Sequence, residues 1–329
     1  MKTFIEKIWE PGEYNYAAAY GFEPNIHGFI HEDGVRDCML VIPGGGYCMC
    51  VPPEAEIVAK SFYERGMNAF VLTYTTDITM SVPLKKQPLF DAARAVRFIR
   101  SRAKEYSLTN KLIICGFSAG GHVCGTLAVH FDDAAESNPK YKDISCRPDG
   151  VILSYPVITT GEFTHIYSVW ALIGQNASAA EMDYFSLEKN VTEKTPPCFL
   201  WQTATDNLVP VENSYLFARA LKEKGVPFAH YVFPEGWHGL SVATLDFFKQ
   251  NFGEEYTMEQ VRLAVKAVKE GKGINVSEQR CEELKAQFAD DAEQPAPPPF
   301  SPEEMAAKFA DVAMWPDLAI NWIASLRSQ

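Results

Sequence analysis

The stretch KLIICGFSAGGHV, residues 111–123, decides the fold class of this 329-residue chain. Its first half is continuously apolar, which is typical of a central parallel strand that is covered on both faces. The small residues that follow predict a helix, so Ser118 lies in the tight turn between strand and helix. Gly116 and Gly120 flank the serine in a G-x-S-x-G pattern, because a Cβ there would collide with neighbouring backbone. The stretch therefore predicts an exposed, nucleophilic serine at the end of a strand.

Short β-rich runs alternate with helical patterns around this stretch, from residue 38 onward. Such alternation predicts βαβ units and an α/β fold with a mostly parallel, doubly wound sheet. The predicted strands are 38–42, 68–75, 111–117, 150–157, 197–203 and 228–233, and the predicted helices include 54–65, 88–104 and one near 217–221. Residues 159–195 show no clear alternation, so we expect a long excursion above the sheet.

The composition changes over residues 251–300, which are charged and amphipathic and end in a proline-rich run at 294–299. Apolar spacing predicts one helix near 261–268 and a second near 281–288. We predict a single domain over 1–329 with a helical insertion at 251–300, followed by a final helix that begins near Ser301. The insertion is interpreted as a structural appendage or an oligomer contact rather than a lid, because it offers little apolar surface to line a pocket.

The charge balance argues against some classes of partner. The chain carries 42 acidic and 30 basic residues, a formal net charge of −12, so neither nucleic acid nor an anionic membrane is expected as its main partner. No apolar run approaches the roughly 18 residues of a transmembrane helix, and Lys2, Glu6 and Lys7 argue against a signal peptide. We expect a soluble, cytoplasmic protein. The eight cysteines contain no CxxC pair, so reduced thiols and no metal site are predicted.

A histidine must serve as the base, because a serine hydroxyl becomes nucleophilic only when its proton is taken and the base is oriented by an acid. With this motif, the acid and then the histidine follow the serine along the chain, at the ends of later strands. His238 alone among the seven histidines lies in such a loop, just after the strand 228–233. The others precede Ser118, lie on the helix that leaves it, or fall in the excursion or a strand: His27, His31, His122, His130, His165 and His230.

Asp206 is the predicted acid because it follows the strand 197–203 at the expected end, between Ser118 and His238 in the chain. Asp183 and Glu181 are competitors in the excursion, but neither belongs to a strand end. A helix begins shortly afterwards, so the alternative role for Asp206 is to cap that helix.

Acyl transfer also needs backbone N–H donors for the oxyanion, since their dipoles are fixed before the reaction starts. Ala119, the residue after the serine, is expected to supply one donor. The PGGGY loop, residues 43–47, follows an early strand at the same sheet edge and is expected to supply the others. As a phosphate-binding loop it would lack the lysine of a P-loop and the G-x-G-x-x-G spacing.

Four motifs in this order resemble the α/β-hydrolase fold: PGGGY at 43–47, GFSAGG at 116–121, TATDNLVPVENS at 203–214 and PEGWHGL at 234–240. Within that fold the chain is similar to the esterase and lipase group that includes bacterial acetyl esterases and acetylxylan or feruloyl esterases, relatives of the prolyl-oligopeptidase-like hydrolases. The resemblance covers roughly residues 38–244 and resumes at 312–322, and it has no counterpart for 251–300.

The resemblance implies a catalytic triad and an oxyanion hole. Their residues are Ser118 as nucleophile, Asp206 as acid and His238 as base, with the N–H groups of Gly45, Gly46 and Ala119 as oxyanion donors. Pro43 stands where many related esterases have the histidine of an HGGG motif, which moves the chain away from the hormone-sensitive-lipase type.

These observations together predict a serine carboxylesterase that removes short acyl groups, above all acetyl, from carbohydrate through an acyl-enzyme intermediate. The sugar rests on the resemblance and on aromatic residues that are equally compatible with the core: Tyr47, Tyr155, Trp170 and Trp237. The alternatives are a small peptidase or amidase with the same triad and a catalytically silent binding protein. The expected partner is a small-molecule or oligosaccharide ester, no cofactor is expected, and homo-oligomer formation stays open.

Overall fold

A single twisted sheet lies at the centre of the computed structural model, which describes residues 1–289 and 300–326. Its strands are β1 (Lys2–Lys7), β2 (Asn25–Ile30), β3 (Arg36–Ile42), β4 (Asn68–Thr73), β5 (Leu108–Phe117), β6 (Gly150–Ser154), β7 (Cys198–Thr203) and β8 (Phe228–Phe233). Their order in the sheet is β1-β2-β4-β3-β5-β6-β7-β8. The pairs β1–β2 and β2–β4 are antiparallel, and every other pair is parallel. The mostly parallel α/β architecture is therefore confirmed.

Helices cover both faces of the sheet. They are α1 (Glu56–Glu64), α2 (Gln87–Ser101), α3 (Ser118–His130), α4 (Ile166–Ile173), α5 (Ala179–Tyr184), α6 (Glu212–Glu223), α7 (Leu245–Phe248), α8 (Glu259–Lys269), α9 (Glu278–Gln287), α10 (Pro302–Lys308) and α11 (Trp315–Ser325). Residues of α2, α3 and α6 share one buried apolar cluster with the sheet, and residues of α1 and α11 share another. The sheet is thus the middle of three layers.

Alternate residues of the central strands point into opposite clusters. In β3, Leu40 and Ile42 face the α2 and α3 side, whereas Met39 and Val41 face the α1 and α11 side. All four side chains are completely buried. Burying a side chain of this size contributes about 1.5–3 kcal/mol, so both faces of the strand favour apolar residues. This double burial explains the continuous hydrophobicity from which the strands were predicted.

The N-terminal strands β1 and β2 were not predicted, since the predicted alternation of strands and helices begins only at residue 38. They form an antiparallel edge, and β2 has the sequence NIHGFI, which lacks a clear strand pattern. A Cβ at Gly28 would lie 2.5 Å from the ring of Phe4 on β1. The glycine that weakens the strand pattern therefore makes room for a cross-strand aromatic ring.

The end of the chain differs from the prediction of one final helix. Ser301 does begin a helix, with a capping box to Glu304, but this helix is α10 and it ends at Lys308. The separate helix α11 starts at Trp315 and has Pro316 in its first turn. Because proline has no N–H to donate within a helix, one continuous helix through this point is disfavoured.

The two helices predicted within residues 251–300 are α8 and α9. The apolar residues of α8 are buried against Ile78 and Leu284, and Cys48 and Met49 of the loop that follows β3 pack against the same cluster. Gln260 of α8 also accepts a hydrogen bond from the N–H of Thr76, with an N to Oε1 distance of 2.9 Å. The apolar face of α8 is therefore covered within its own chain. The proline-rich run at 294–299 lies outside the described residues, and the single-domain assignment with an insertion stays a prediction.

The predicted excursion contains α4 and α5, which pack on the α2 and α3 side of the sheet. In the part of the chain that the structure describes, no helix is both long and apolar enough to cross a lipid bilayer.

Candidate active site

Ser118 occupies a strained turn between β5 and α3. Its φ of 52° lies in the left-handed region, and only 6% of the residue is exposed. A Cβ at Gly120 would overlap the carbonyl oxygens of Ile42 and Pro43, and one at Gly116 would overlap the carbonyl oxygen of Gly120. The turn therefore closes only because both flanking residues lack side chains, as the sequence pattern predicts.

Two short hydrogen bonds connect Ser118 to residues from two later loops. The Oγ atom of Ser118 lies 2.8 Å from Nε2 of His238, and Nδ1 of the same imidazole lies 2.8 Å from Oδ2 of Asp206. A carboxylate accepts, so Nδ1 carries the proton and Nε2 is free to accept from the serine. The structure thus brings together the three residues predicted as the triad.

The carboxylate of Asp206 is fixed in orientation by its own backbone. Its Oδ1 atom accepts hydrogen bonds from the N–H groups of Leu208 and Val209, each with an N to O distance of 2.9 Å. Its side chain is 1% exposed. These bonds lie within the loop: the helix α6 has Val211 as its N-cap and no side-chain cap hydrogen bond, so the alternative role of Asp206 as the cap of that helix is wrong. The loop bonds use Oδ1 and leave Oδ2 for His238.

The PGGGY loop lies against Ser118. A Cβ built on Gly44 would lie 2.9 Å from Cβ of Ser118. Gly45 and Gly46 have φ values of 122° and 64°, conformations that side-chain-bearing residues rarely adopt. Within residues 1–289 and 300–326, the N–H groups of these two glycines have no hydrogen-bond acceptor, whereas the N–H of Gly44 donates to Glu54. Gly45 and Gly46 therefore keep their donors available beside the serine.

The two competing acids lie away from His238, and His122 lies on the helix α3. Asp183 pairs with Lys189 and Glu181 pairs with Lys85, both at the surface. His122 is buried on α3. Neither Asp183 nor Glu181 is brought to His238 by the fold.

His165 lies closer to the site than its place in the excursion suggested. Its Nδ1 atom hydrogen-bonds Oγ of Ser168 at 2.8 Å. Burial, followed by the charge of His238, lowers the pKa of His165. His165 directly precedes α4. The sequence there shows no clear strand or helix pattern, so the position of His165 near the site could not be predicted.

Glu54 is a second residue that the sequence did not reveal. It follows two prolines at the start of a predicted helix, where an acidic residue is ordinary. In the structure it is 3% exposed and contacts the PGGGY loop.

Two of the four aromatic residues considered for a sugar site are core residues. Tyr47 and Tyr155 are each 2% exposed, so neither can stack on a sugar. Trp237, next to His238, is 40% exposed and packs edge-to-face on Phe309 with ring centroids 4.9 Å apart. Trp170 is half-buried beside exposed Tyr167.

A small apolar cavity lies beside the PGGGY loop, and one of its lining residues contacts the backbone of Ser118. Tyr47, Val157 and Leu172 are among the residues that line it, and its volume is about 10 Å³. Val157 donates its N–H to the carbonyl oxygen of Ser118 at 3.1 Å, which places the cavity wall directly beside the serine. This volume is room for about one water-sized group.

All eight cysteines are free thiols, six of them buried. The described residues contain no group of three or more His, Cys, Asp or Glu side chains arranged to hold a metal ion.

The fold and this geometry define an α/β hydrolase with Ser118 at a strand-to-helix turn. The family model BD-FAE matches residues 30–221. The chain belongs to this family and to the esterase group of the α/β hydrolases.

Several relatives carry names linked to xylan. The chain is 64% identical over 270 residues to an endo-1,4-beta-xylanase B of Butyrivibrio fibrisolvens, covering 82% of this chain and 42% of that protein. It is 26% identical over 226 residues to an acetylxylan esterase of Xylanibacter ruminicola, covering 66% and 43%. A solved acetyl ester-xyloside bifunctional hydrolase from Caldicellulosiruptor lactoaceticus superimposes with a TM-score of 0.68 at 36% identity, covering 82% of this chain and 97% of that one. The chain spans less than half the length of these two curated relatives.

The first prediction concerns the acid. In Asp206→Asn the two backbone N–H groups will hold the amide oxygen, so the NH₂ group will face His238 and force the imidazole into the wrong tautomer. We expect the rate of ester hydrolysis to fall on the order of 10⁴-fold with the fold kept, as in serine proteases. Asp183→Asn is the matched control and should hydrolyse esters at the wild-type rate. The opposite pattern would transfer the acid role to the excursion.

The second prediction concerns His122 on α3, which is buried between two partners. Its Nε2 atom lies 2.8 Å from the carbonyl oxygen of Phe185, so Nε2 carries the proton, and Nδ1 accepts from the hydroxyl of Tyr47 at 2.7 Å. Burial lowers the pKa of His122 to about 4. An unfolded histidine binds a proton near pH 6.5, so the free energy of unfolding should fall between pH 6.5 and 4, on the order of 3 kcal/mol from this residue.

Chemical denaturation at several pH values measures this loss. The stability of His122→Gln should depend less steeply on pH over that range than wild type, whatever its absolute stability. Equal slopes in the two proteins would show that His122 is not held neutral by the fold.

Proposed function

We propose that this protein is a serine carboxylesterase that removes short acyl groups, acetyl above all, from carbohydrate. The proposal is carried by the pair of 2.8 Å hydrogen bonds from Ser118 through His238 to Asp206. They form beside two glycine N–H groups that have no acceptor among the described residues. Nucleophile, base, orienting acid and oxyanion donors are together at the carboxyl edge of one sheet.

The reaction follows the chemistry of these groups. His238 takes the proton of Ser118 as Oγ attacks the ester carbonyl, and the oxyanion that forms accepts from the N–H groups of Gly45, Gly46 and Ala119. The C–O bond to the alcohol then breaks, and the imidazolium gives its proton to the departing alkoxide. Water attacks the acyl-enzyme by the same route, which releases the carboxylic acid and restores Ser118.

The preference for a short acyl group rests on the cavity beside the serine. Its volume of about 10 Å³ is room for about one water-sized group, which favours the methyl of an acetyl group over a longer chain. Its walls include Tyr47 and Val157, which are held by the core. Enlarging it would displace packed side chains.

Two independent observations support carbohydrate as the alcohol part of the substrate. By their names, the relatives given above are a xylanase, an acetylxylan esterase and an acetyl ester-xyloside bifunctional hydrolase. Trp237, which immediately precedes His238 in the chain, exposes 40% of its surface, and an exposed aromatic side chain can contact the C–H groups of a sugar ring.

The third prediction tests this function with matched substrates. Initial rates on p-nitrophenyl acetate, butyrate and octanoate should fall steeply in that order, and acetate should be released from acetylated xylo-oligosaccharides faster than from acetylated manno-oligosaccharides. Ser118→Ala should lose several powers of ten in rate while remaining folded, because alanine fits the turn and only the nucleophile is removed.

Three results would contradict the proposal. They are a preference for octanoate, hydrolysis of an acyl-amino-acid anilide in place of esters, or more than about a tenth of wild-type activity in Ser118→Ala.

A further inference from the structure

Glu54 is a buried carboxylate without a cationic partner in the described part of the chain. It ends the short turn Pro52–Glu54 just before α1 and is 3% exposed. No lysine or arginine of residues 1–289 and 300–326 lies within ion-pair distance of it, whereas nearby Glu56 is paired with Lys60 at 2.6 Å. A carboxylate in this position has to be stabilised by hydrogen bonds.

Both oxygens of Glu54 accept a hydrogen bond from a group at the active site. The N–H of Gly44, in the PGGGY loop, donates to Oε2 at 2.7 Å. The hydroxyl of Tyr155 donates to Oε1 at 2.8 Å, and its own oxygen accepts from the N–H of Ser241 at 3.1 Å. The direction of the tyrosine bond follows, since the N–H of Ser241 occupies the hydroxyl oxygen and leaves its proton for Glu54.

Each of these two hydrogen-bond donors, Gly44 and Tyr155, contacts a different part of the proposed active site. Gly44 lies against Ser118 and immediately precedes the two glycines with free N–H groups. The ring of Tyr155 packs edge-to-face on the imidazole of His238, with centroids 4.9 Å apart. One carboxylate therefore connects the oxyanion loop to the side chain that supports the base.

We propose that Glu54 is a positioning residue that sets the PGGGY loop and Tyr155 in a single geometry, so that the oxyanion donors and His238 are aligned before the ester binds. The inference rests on the proposed esterase function. Burial raises the pKa of Glu54, and His238, Tyr155 and the N–H of Gly44 oppose that rise. Buried titratable groups in such a setting are typical of functional sites.

The fourth prediction follows from the hydrogen-bond capacity of glutamine. Glu54→Gln keeps the size of the side chain but has only one oxygen, so it can accept from Gly44 or from Tyr155 and not from both. The oxyanion exists only in the transition state, and so kcat should fall about 10- to 100-fold while KM changes less than about threefold. A boronic acid that forms a tetrahedral adduct with Ser118 should bind more weakly by the same factor as kcat/KM.

Glu56→Gln is the matched control. Glu56 is also buried and lies two residues away, but it pairs with Lys60 and touches neither Gly44 nor Tyr155. We expect wild-type kcat and boronate affinity from it. A mere loss of stability in Glu54→Gln or Glu56→Gln would lower the thermal unfolding temperature. It would not lower kcat of the folded enzyme while leaving KM nearly unchanged.

Tyr155→Phe provides a second route if Glu54→Gln does not fold. It removes one hydroxyl and should lower kcat in the same direction, and the double variant should lose less than the product of the two single losses. The inference is overturned if folded Glu54→Gln keeps kcat and boronate affinity within twofold of wild type, if Glu56→Gln loses as much, or if folded Tyr155→Phe keeps wild-type kcat. Activity retained in Ser118→Ala would instead overturn the esterase proposal itself.

Discussion

The site is built on a close backbone contact: the end of β3 lies directly against the turn that holds Ser118. The left-handed conformation of this serine costs on the order of 1–3 kcal/mol, and it persists because β5 is held between β3 and β6 in the middle of the sheet. The carbonyl groups at the end of β3 press against Gly120, where any side chain would overlap them. The same contact that requires glycine at position 120 brings the PGGGY loop beside Ser118.

The other residues of the site lie in loops at the same end of the parallel strands. The loop after β3 carries the glycine N–H groups, the loop after β7 carries Asp206 and the loop after β8 carries His238. Because parallel strands end at one edge, residues 120 positions apart in sequence meet at 2.8 Å. Tyr155, which follows β6, fills the gap between them and packs on the imidazole. The strands β3, β5, β6, β7 and β8 thus each lead into one site, whereas β4, which lies between β2 and β3, does not.

Much of this arrangement could be predicted from the sequence. A strand that is buried on both faces has a continuous apolar sequence, and the order serine, acid, histidine limits which residues can form the triad. The apolar run before Ser118 predicted β5, and the loops after two later strands predicted Asp206 and His238. Their catalytic roles stay predictions. The strands β1 and β2 were not predicted, because His27 and Gly28 interrupt the alternation of apolar and polar residues that would indicate a strand.

Contacts between segments distant in the chain could not be predicted. A glutamate after two prolines has the pattern of an ordinary helix start, and only the fold places Glu54 between Gly44 and Tyr155. Tyr47 and Tyr155 were candidates for a sugar site because composition carries no information on which aromatic residues are buried. The break between α10 and α11 depends on tertiary packing as well as on Pro316.

Covalent labelling distinguishes an activated Ser118 from an ordinary serine hydroxyl. The protein is incubated with diethyl p-nitrophenyl phosphate, released p-nitrophenolate is counted, and the modified peptide is located by mass spectrometry. An activated serine attacks phosphorus and expels the phenolate, leaving a stable diethylphosphoryl ester. The account predicts one equivalent of phenolate per chain, with the label on Ser118 and none in Ser118→Ala. A label on another residue, or equal labelling of Ser118→Ala, would contradict it.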